Sequence, residues 1–292
     1  MCRQRFALFG NIYQPEKSAL AEKLLRTLTA QGAEILIDRP FHEYLTQRMQ
    51  LDIAPAALID GDSFDADFAL SMGGDGTFLQ TAARIGRKGI PIIGVNTGRM
   101  GFLADVGNDE IEHIVQNICD GDYRLEPRSV LEVRSSSQLS TYPYALNEVA
   151  VLKRDNSSMI SIRVAVNGEY LTTYQADGLI VNTPTGSTGY ALSVGGPIMP
   201  PGSRVIGLVP VAPHSLNVRP ISLQDDAEVS LTVESRNHQF LVAIDGRSET
   251  CAEDVCLKIH KADYTIQVLK RHDSSFFRTL REKLMWGSDV RN

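Results

Sequence analysis

The sequence predicts an α/β domain followed by an all-β domain. Two observations carry that reading. Over roughly the first 125 residues, short apolar runs alternate with helical stripes, the signature of a parallel sheet. From Glu126-Pro127-Arg128 onward, strand follows strand with turn residues between them. The length agrees, because 292 residues at roughly 150 per domain suggest two.

Phe6–Ile12 is the first strand-like run. Pro15–Gln31 follows as a helix, with Leu20, Leu24 and Leu28 on one stripe and Gly32 as its stop. Glu34–Ile37, Ala66–Met72 and Ile90–Val95 read as further strands, the last two running into Gly/Asn-rich loops. Asn108–Cys119 reads as a helix with Ile111, Ile114, Val115 and Ile118 inward and Gly121 ending it. These elements define a first domain over residues 1–125.

In the second domain, residues 126–266, Ile160, Ile162, Val164 and Val166 alternate with other residues, and Asn167-Gly168 supplies a two-residue hairpin turn. Gly178–Asn182, Arg204–Val211, Glu228–Val233, Gln239–Asp245 and Tyr264–Leu269 are the remaining strands. The tail 267–292 contains a helix over Ser274–Trp286, with Phe276, Phe277, Leu280 and Leu284 on one side and Trp286 as packing. It is expected to pack on the first domain or on another subunit.

A net charge of −6 without a Lys/Arg run argues against generic nucleic-acid or anionic-membrane binding, since both need a basic surface. No apolar stretch reaches the roughly 18–20 residues of a bilayer span. Met1-Cys2-Arg3-Gln4-Arg5 runs directly into a strand without a signal-peptide cleavage site, so the cytoplasm is the expected compartment. Cys2, Cys119, Cys251 and Cys256 form no CxxC pair and read as structural thiols. The scattered His42, His113, His238, His260 and His272 read as surface residues.

Four segments carry chemistry. The first is Phe68-Ala69-Leu70-Ser71-Met72-Gly73-Gly74-Asp75-Gly76-Thr77, a buried strand entering a glycine loop and then a helix. Glycines let backbone N–H groups approach an anion, and the helix N-terminus adds partial positive charge. A carboxylate such as Asp75 beside phosphates must hold a metal or take a proton; the alternative is a tight turn with Asp75 as a cap. Neither a P-loop nor a GxGxxG fingerprint occurs.

The second segment is Gly94-Val95-Asn96-Thr97-Gly98-Arg99-Met100-Gly101-Phe102-Leu103, again leaving a strand where ligands bind open α/β sheets. The third is Asn147-Glu148, an amide and a carboxylate within an apolar run that could clasp ribose hydroxyls. The fourth runs from Ala176 and Asp177 through Gly178-Leu179-Ile180-Val181-Asn182 to the hydroxyl-rich Thr183-Pro184-Thr185-Gly186-Ser187-Thr188-Gly189-Tyr190. That density of small polar residues suits close hydrogen bonding to a nucleotide, with Tyr190 available for stacking.

Together GGDGT, NTGRMGFL, NE and DGLIVNTPTGSTGYALSVGGPI resemble the NAD kinase family, with Val211–Leu216 and Ile244-Asp245-Gly246 extending the match. GGDGT alone also resembles the loop of diacylglycerol and sphingosine kinases, and more loosely that of 6-phosphofructokinase. The resemblance implies a Rossmann-like N-terminal domain, a C-terminal β-sandwich and a site in the crevice between them. It implies ATP and NAD as substrates, with Mg²⁺ or another divalent metal accompanying ATP, and a homo-oligomer, dimer or tetramer. Transferred to matching positions, Asp75 accepts the proton of the adenosine ribose 2′-hydroxyl. Gly73, Gly74, Gly76 and Thr77 surround the donor phosphates, Asp75 and Gly76 also touching NAD. Asn147 and Glu148 hold ribose and adenine edges, and Asp177 takes the nicotinamide amide. Thr188, Gly189, Tyr190, Ala191, Leu192, Ser193 and Ala212 line the adenine side. No residue is assigned as a metal ligand. Gln175 and Gln80 stand where some members carry basic residues, which leaves pyrophosphate charge to Arg154 or a partner subunit. Two other readings remain open: a lipid or sugar kinase of the GGDGT type, and a noncatalytic NAD(P)-binding regulator.

Overall fold

The computed structural model describes residues 4–12, 18–98, 101–154 and 158–287. The chain divides into two compact units, Met1–Pro127 with Ile266–Asn292, and Arg128–Thr265.

The first unit begins with β1 (Arg5–Gly10), α1 (Ser18–Ala30), β2 (Glu34–Asp38), α2 (Arg39–Glu43), β3 (Ala57–Ile59), β4 (Phe68–Gly73), α3 (Asp75–Ile85), β5 (Ile92–Asn96) and α4 (Ile111–Asp120). The strands are parallel in the order β3-β2-β1-β4-β5. β4 and β5 are buried along their whole length, as expected of parallel strands covered on both faces. The leucine stripe of α1 and the isoleucines of α4 join one core with Phe6, Leu8 and Leu70. Gly32 and Gly121, at φ +78° and +72°, end these helices in the left-handed region that glycine occupies without penalty. Residues 15–17 of the expected first helix lie outside the described residues, as does Cys2. Among the described residues Cys119, Cys251 and Cys256 are in no disulfide.

The second unit contains β6 (Arg124–Ser135), β7 (Tyr144–Ala145), β8 (Glu148–Lys153), β9 (Ile160–Val166), β10 (Glu169–Ala176), β11 (Gly178–Asn182), α5 (Tyr190–Ser193), β12 (Val205–Val211), β13 (Ile221–Gln224), β14 (Val229–Glu234), β15 (Gln239–Ile244), β16 (Arg247–Ala252) and most of β17 (Leu257–Lys270). One antiparallel sheet has the order β13-β12-β11-β8-β15-β16, and β10-β9-β14-β17 run side by side in the other. Val149, Val151, Leu179, Val181 and Val242 of the first meet Ile162, Val164, Val229, Leu231 and Leu257 of the second in one core, which makes the unit a β-sandwich. Asn167 and Gly168 both take positive φ, 51° and 83°, as a type I′ hairpin between β9 and β10 requires.

The differences from expectation have local causes. The boundary expected near Glu126-Pro127-Arg128 falls between Pro127 and Arg128, and β6 runs through it unbroken. Proline donates no ladder hydrogen bond and therefore reads as a strand end. β17 begins seven residues before Tyr264, because Lys258, His260 and Asp263 interrupt its apolar run. The tail helix, α6 (Phe276–Leu284), buries only Leu280, while Phe277 and Trp286 stay 59% and 58% exposed. Trp286, expected to pack, lies beyond the helix end and is mostly exposed. His260, expected at the surface, is half-buried with Nε2 3.2 Å from Glu132. Among the described residues no helix is long and apolar enough to cross a membrane.

Candidate active site

In the first unit the GGDGT loop joins β4 to α3. Gly74 is the extended N-cap residue and Asp75 the first residue of the helix. The first N–H groups of a helix have no acceptor within it. Here the Thr77 N–H turns back to the Gly74 carbonyl at 3.1 Å, which leaves those of Asp75 and Gly76 to the loop's surroundings. A Cβ at Gly74 or Gly76 would meet nothing within 4 Å, so the backbone here is open to an anion. Gly73 is different. A side chain there would strike the Thr77 hydroxyl, which is folded under the loop. Thr77 is 7% exposed and acts as its floor.

The segment after β5 returns to this loop. Asn96 donates from Nδ2 to the Ala104 carbonyl at 3.1 Å and accepts from the Gly98 N–H at 2.6 Å. The result is a clasp on Asp75. Its Oδ2 accepts the Phe102 N–H at 2.8 Å, and its Oδ1 accepts those of Leu103 and Ala104 at 3.0 and 3.2 Å. A carboxylate offers about four lone-pair directions, so three are used and one is left. Gly101 is required by the same geometry, since its Cβ would collide with Asp75 Oδ1. Arg99 and Met100 lie outside the described residues.

The second unit repeats the device. Asp245, in the β15–β16 turn at φ +47°, accepts the Leu146 N–H on Oδ2 at 2.7 Å, and those of Asn147 and Glu148 on Oδ1 at 2.8 and 3.1 Å. Burial pushes the Asp245 carboxyl up, against the pull of these three N–H groups and of Arg247. Burial and then the Asp245 charge push Glu148 up to about 7, with the Tyr190 N–H opposing them. Asn147 Oδ1 and Glu148 Oε2 are both buried and have no hydrogen-bond partner. Two adjacent buried acceptors without donors are costly unless a ligand supplies the donors. Gly189 keeps the space above them open, for a Cβ there would stand 3.1 Å from Glu148 Oε2 and 3.4 Å from Asn147 Nδ2.

The hydroxyls of the fourth segment divide into two groups. Thr183 donates to the Leu146 carbonyl at 2.6 Å, and Ser187 donates to Pro184 at 2.7 Å and accepts from the Met199 N–H at 2.9 Å. Arg128 donates to Thr185 at 3.3 Å. These three side chains are buried and hold the loop's shape. Gly186 fits because a Cβ there would strike the Asn147 carbonyl. Thr188, Gly189 and Leu192 are half-buried, and Tyr190 and Ser193 are exposed. Ala191 is wholly buried beside Ala150, Ile180 and Val209, so its side chain belongs to packing.

Asp177 and Ala212 do not join this group. Asp177 precedes β11, whereas Asn147, Glu148 and Gly189 gather at the other end of that five-residue strand, roughly 15 Å away. Asp177 pairs there with Lys153 Nζ at 2.7 Å, and its N–H donates to the Val211 carbonyl beside Ala212 at φ +44°. The His214 backbone N–H donates to the Gln175 carbonyl, and Arg219 donates to the nearby Leu216 and Val218 carbonyls.

Sequence reasoning gave no role to Asp245 or Lys283. The Asp-Gly turn could have suggested the first, because such turns place a polar side chain beside the next strand. A lysine on a helix face carries no comparable signal.

Residues 6–123 match the family model of the ATP-NAD kinase N-terminal domain, and residues 146–270 that of the C-terminal domain. An NAD kinase of Bacteroides fragilis is 57% identical over 98% of this chain and 99% of that protein. An NAD kinase of Porphyromonas gingivalis is 43% identical over 99% and 100%. Among solved structures, an Archaeoglobus fulgidus NAD kinase in complex with ATP superposes with a TM-score of 0.77 at 26% identity, covering 96% of this chain and 98% of that one. The fold is also that of yeast NADH kinase complexed with NADH, at a TM-score of 0.88, 21% identity, and 100% and 90% coverage.

Proposed function

The chain belongs to the NAD kinase family, a family of phosphotransferases with an alcohol acceptor, and on that premise we propose how its residues divide the work. The chain transfers the γ-phosphoryl of ATP to the 2′-hydroxyl of the adenosine ribose of NAD, giving NADP. Phosphoryl transfer depends on positioning and charge stabilisation more than on covalent chemistry. The open backbone of Gly74 and Gly76 at the α3 N-terminus cradles the donor phosphates, with Gly73 and Thr77 fixing the loop beneath. Asp75 uses its remaining lone pair to take the hydroxyl proton, a role typically contributing about 10²–10⁴-fold. Among the described residues no group of three or more His, Cys, Asp and Glu could hold a metal. Mg²⁺ or another divalent ion accompanies ATP as the metal complex of the nucleotide.

The acceptor reading rests on one observation above others, the two unpartnered buried acceptors Asn147 Oδ1 and Glu148 Oε2. They ask for adjacent donors, which the hydroxyls of a ribose or the amino group of adenine supply. Tyr190 offers a face and Thr188, Gly189, Leu192 and Ser193 the walls, with Ala191 contributing only backbone. Asp177 and Ala212 lie at the far end of β11, which favours a homo-oligomer whose partner subunit presents its own copies of these residues to the nicotinamide end. A cytoplasmic setting suits this substrate pair.

A thermal-shift panel separates an NAD-binding chain from the lipid and sugar kinases, and NADP formation from ATP and NAD separates the kinase from a noncatalytic regulator. NAD and NADP are expected to raise the melting temperature, and sphingosine and fructose 6-phosphate to leave it unchanged. A shift with either of the latter alone moves the chain to the lipid or sugar kinases.

A further inference from the structure

Near the end of α6 lies a charge that the site as described does not use. Lys283 Nζ is buried and has no hydrogen-bond partner. An ammonium carries three donors and no acceptor, so leaving all three unmet inside the protein is unfavourable unless other forces hold it. Two such forces are present. The ammonium stands 5.2 Å from the centroid of the Phe102 ring, within cation–π range. It also lies in the field of Asp105, Asp75 and Glu282, opposed by Lys270. Lys270 is committed to Asp105 at 2.6 Å, which leaves Lys283 as the cation over the ring. Burial, the largest influence, pushes the Lys283 amine down. Asp105, Lys270 and Lys283 border one cavity of about 270 Å³ with Glu110, Arg271 and Arg278. Arg271 is held by Glu110 and Asp273.

Phe102 is the link to Asp75. Its ring carries Lys283, and its backbone N–H is the donor to Asp75 Oδ2 at 2.8 Å. Leu103 and Ala104, the other two donors, follow it directly. The tail helix therefore bears on the segment that orients the base.

We infer that Lys283 is a positioning residue: its ammonium on the Phe102 ring pins the 102–104 segment whose N–H groups aim Asp75. The kinetic part of this inference rests on Asp75 being the base. The structural part does not. Lys283 touches no reacting atom in this account and acts through Phe102.

The test uses the full chain as wild type, Lys283→Met, Phe102→Leu and the double variant, with Phe102→Tyr as the variant that keeps an aromatic ring. Amide hydrogen exchange at residues 102–104 reads the clasp without reference to catalysis. Lys283→Met and Phe102→Leu are each expected to speed that exchange about tenfold, leaving β4 amides unchanged. Turnover with ATP and NAD is expected to fall about tenfold in each, with the KM for NAD unchanged. The double variant should fall no further than either single, because both break one contact. Phe102→Tyr should stay near wild type. Wild-type exchange at 102–104 in Lys283→Met overturns the inference, as do additive losses in the double variant or a change confined to KM. If one single variant fails to fold, the other still decides. If wild type forms no NADP, the proposed function fails while the exchange arm still judges Lys283.

Discussion

Asp245 holds Glu148 in two opposing ways. Its Oδ1 accepts the Glu148 backbone N–H at 3.1 Å, while its charge disfavours ionisation of the Glu148 side chain. The residue is fixed in place and made reluctant to carry charge. A carboxyl poised near neutrality beneath an open acceptor pair gives the molecule a measurable pH signature.

That signature is in stability. Glu148 rises from 4.5 to about 7, so between those values the native state holds a proton that the unfolded chain has released. Stability from this group is present in full below about 4.5 and is lost as pH rises through about 7. The swing is about 3 kcal/mol at 1.36 kcal/mol per unit. Asp245 is shifted in the same direction and adds to the slope. Urea unfolding of wild type and Glu148→Gln at pH 5.5 and 7.5 is expected to show the wild type losing more stability than the variant. Parallel losses would remove Glu148 as the source.

Asp75→Asn is expected to lower turnover at least 100-fold, within the range for a lost general base. The amide also turns an NH₂ group toward the N–H donors of residues 102–104, so one clasp bond is lost. Equilibrium affinity for NAD should stay within about threefold, because Asn147 and Glu148 are untouched. Calorimetric titration beside steady-state kinetics checks both. Unchanged turnover would strip Asp75 of its role.

Gly101→Ala places a methyl group where Asp75 Oδ1 sits. The carboxylate must move, and a displacement of about 1 Å in a catalytic group can cost about 100-fold. Turnover should fall on that scale with the melting temperature nearly preserved, since Gly101 is only half-buried. Full activity in this variant would show that the clasp can open freely.

Gly186→Ala acts on the other half-site. Its Cβ would strike the Asn147 carbonyl, a backbone atom that cannot step aside. Overpacking of this kind typically costs about 1–3 kcal/mol. The variant should unfold at lower urea concentration and bind NAD more weakly. Loss of stability with intact NAD affinity would detach Asn147 from the ligand.

Much of this was legible in the residues themselves. Parallel strands buried on both faces read as continuous apolar runs, so Phe68–Gly73 and Ile92–Asn96 were visible. Asn167-Gly168 announced its hairpin because its turn demands two left-handed residues. Strand β6 was hidden by Pro127, and the first half of β17 by its polar residues. In the site, residue types pointed to chemistry but not to direction. The sequence could not show that Thr183 and Ser187 turn their hydroxyls inward while Tyr190 and Ser193 face out. Nor could it show that Asp177 and Glu148 stand at opposite ends of one strand, since strand length separates them only after folding. Asp245 and Lys283 act at sequence distances of about 100 and 180 residues from what they position.

The central claim is transfer from ATP to the ribose 2′-hydroxyl of NAD, and one measurement addresses it directly. Purified protein is incubated with γ-³²P-labelled ATP, Mg²⁺ and NAD, and the dinucleotide product is isolated and passed to an NADP-specific dehydrogenase. The account predicts label in the dinucleotide, its reduction by that dehydrogenase, and at least a 100-fold lower rate with Asp75→Asn. Absence of labelled NADP across a range of divalent metals and donors, or undiminished formation by Asp75→Asn, would contradict it.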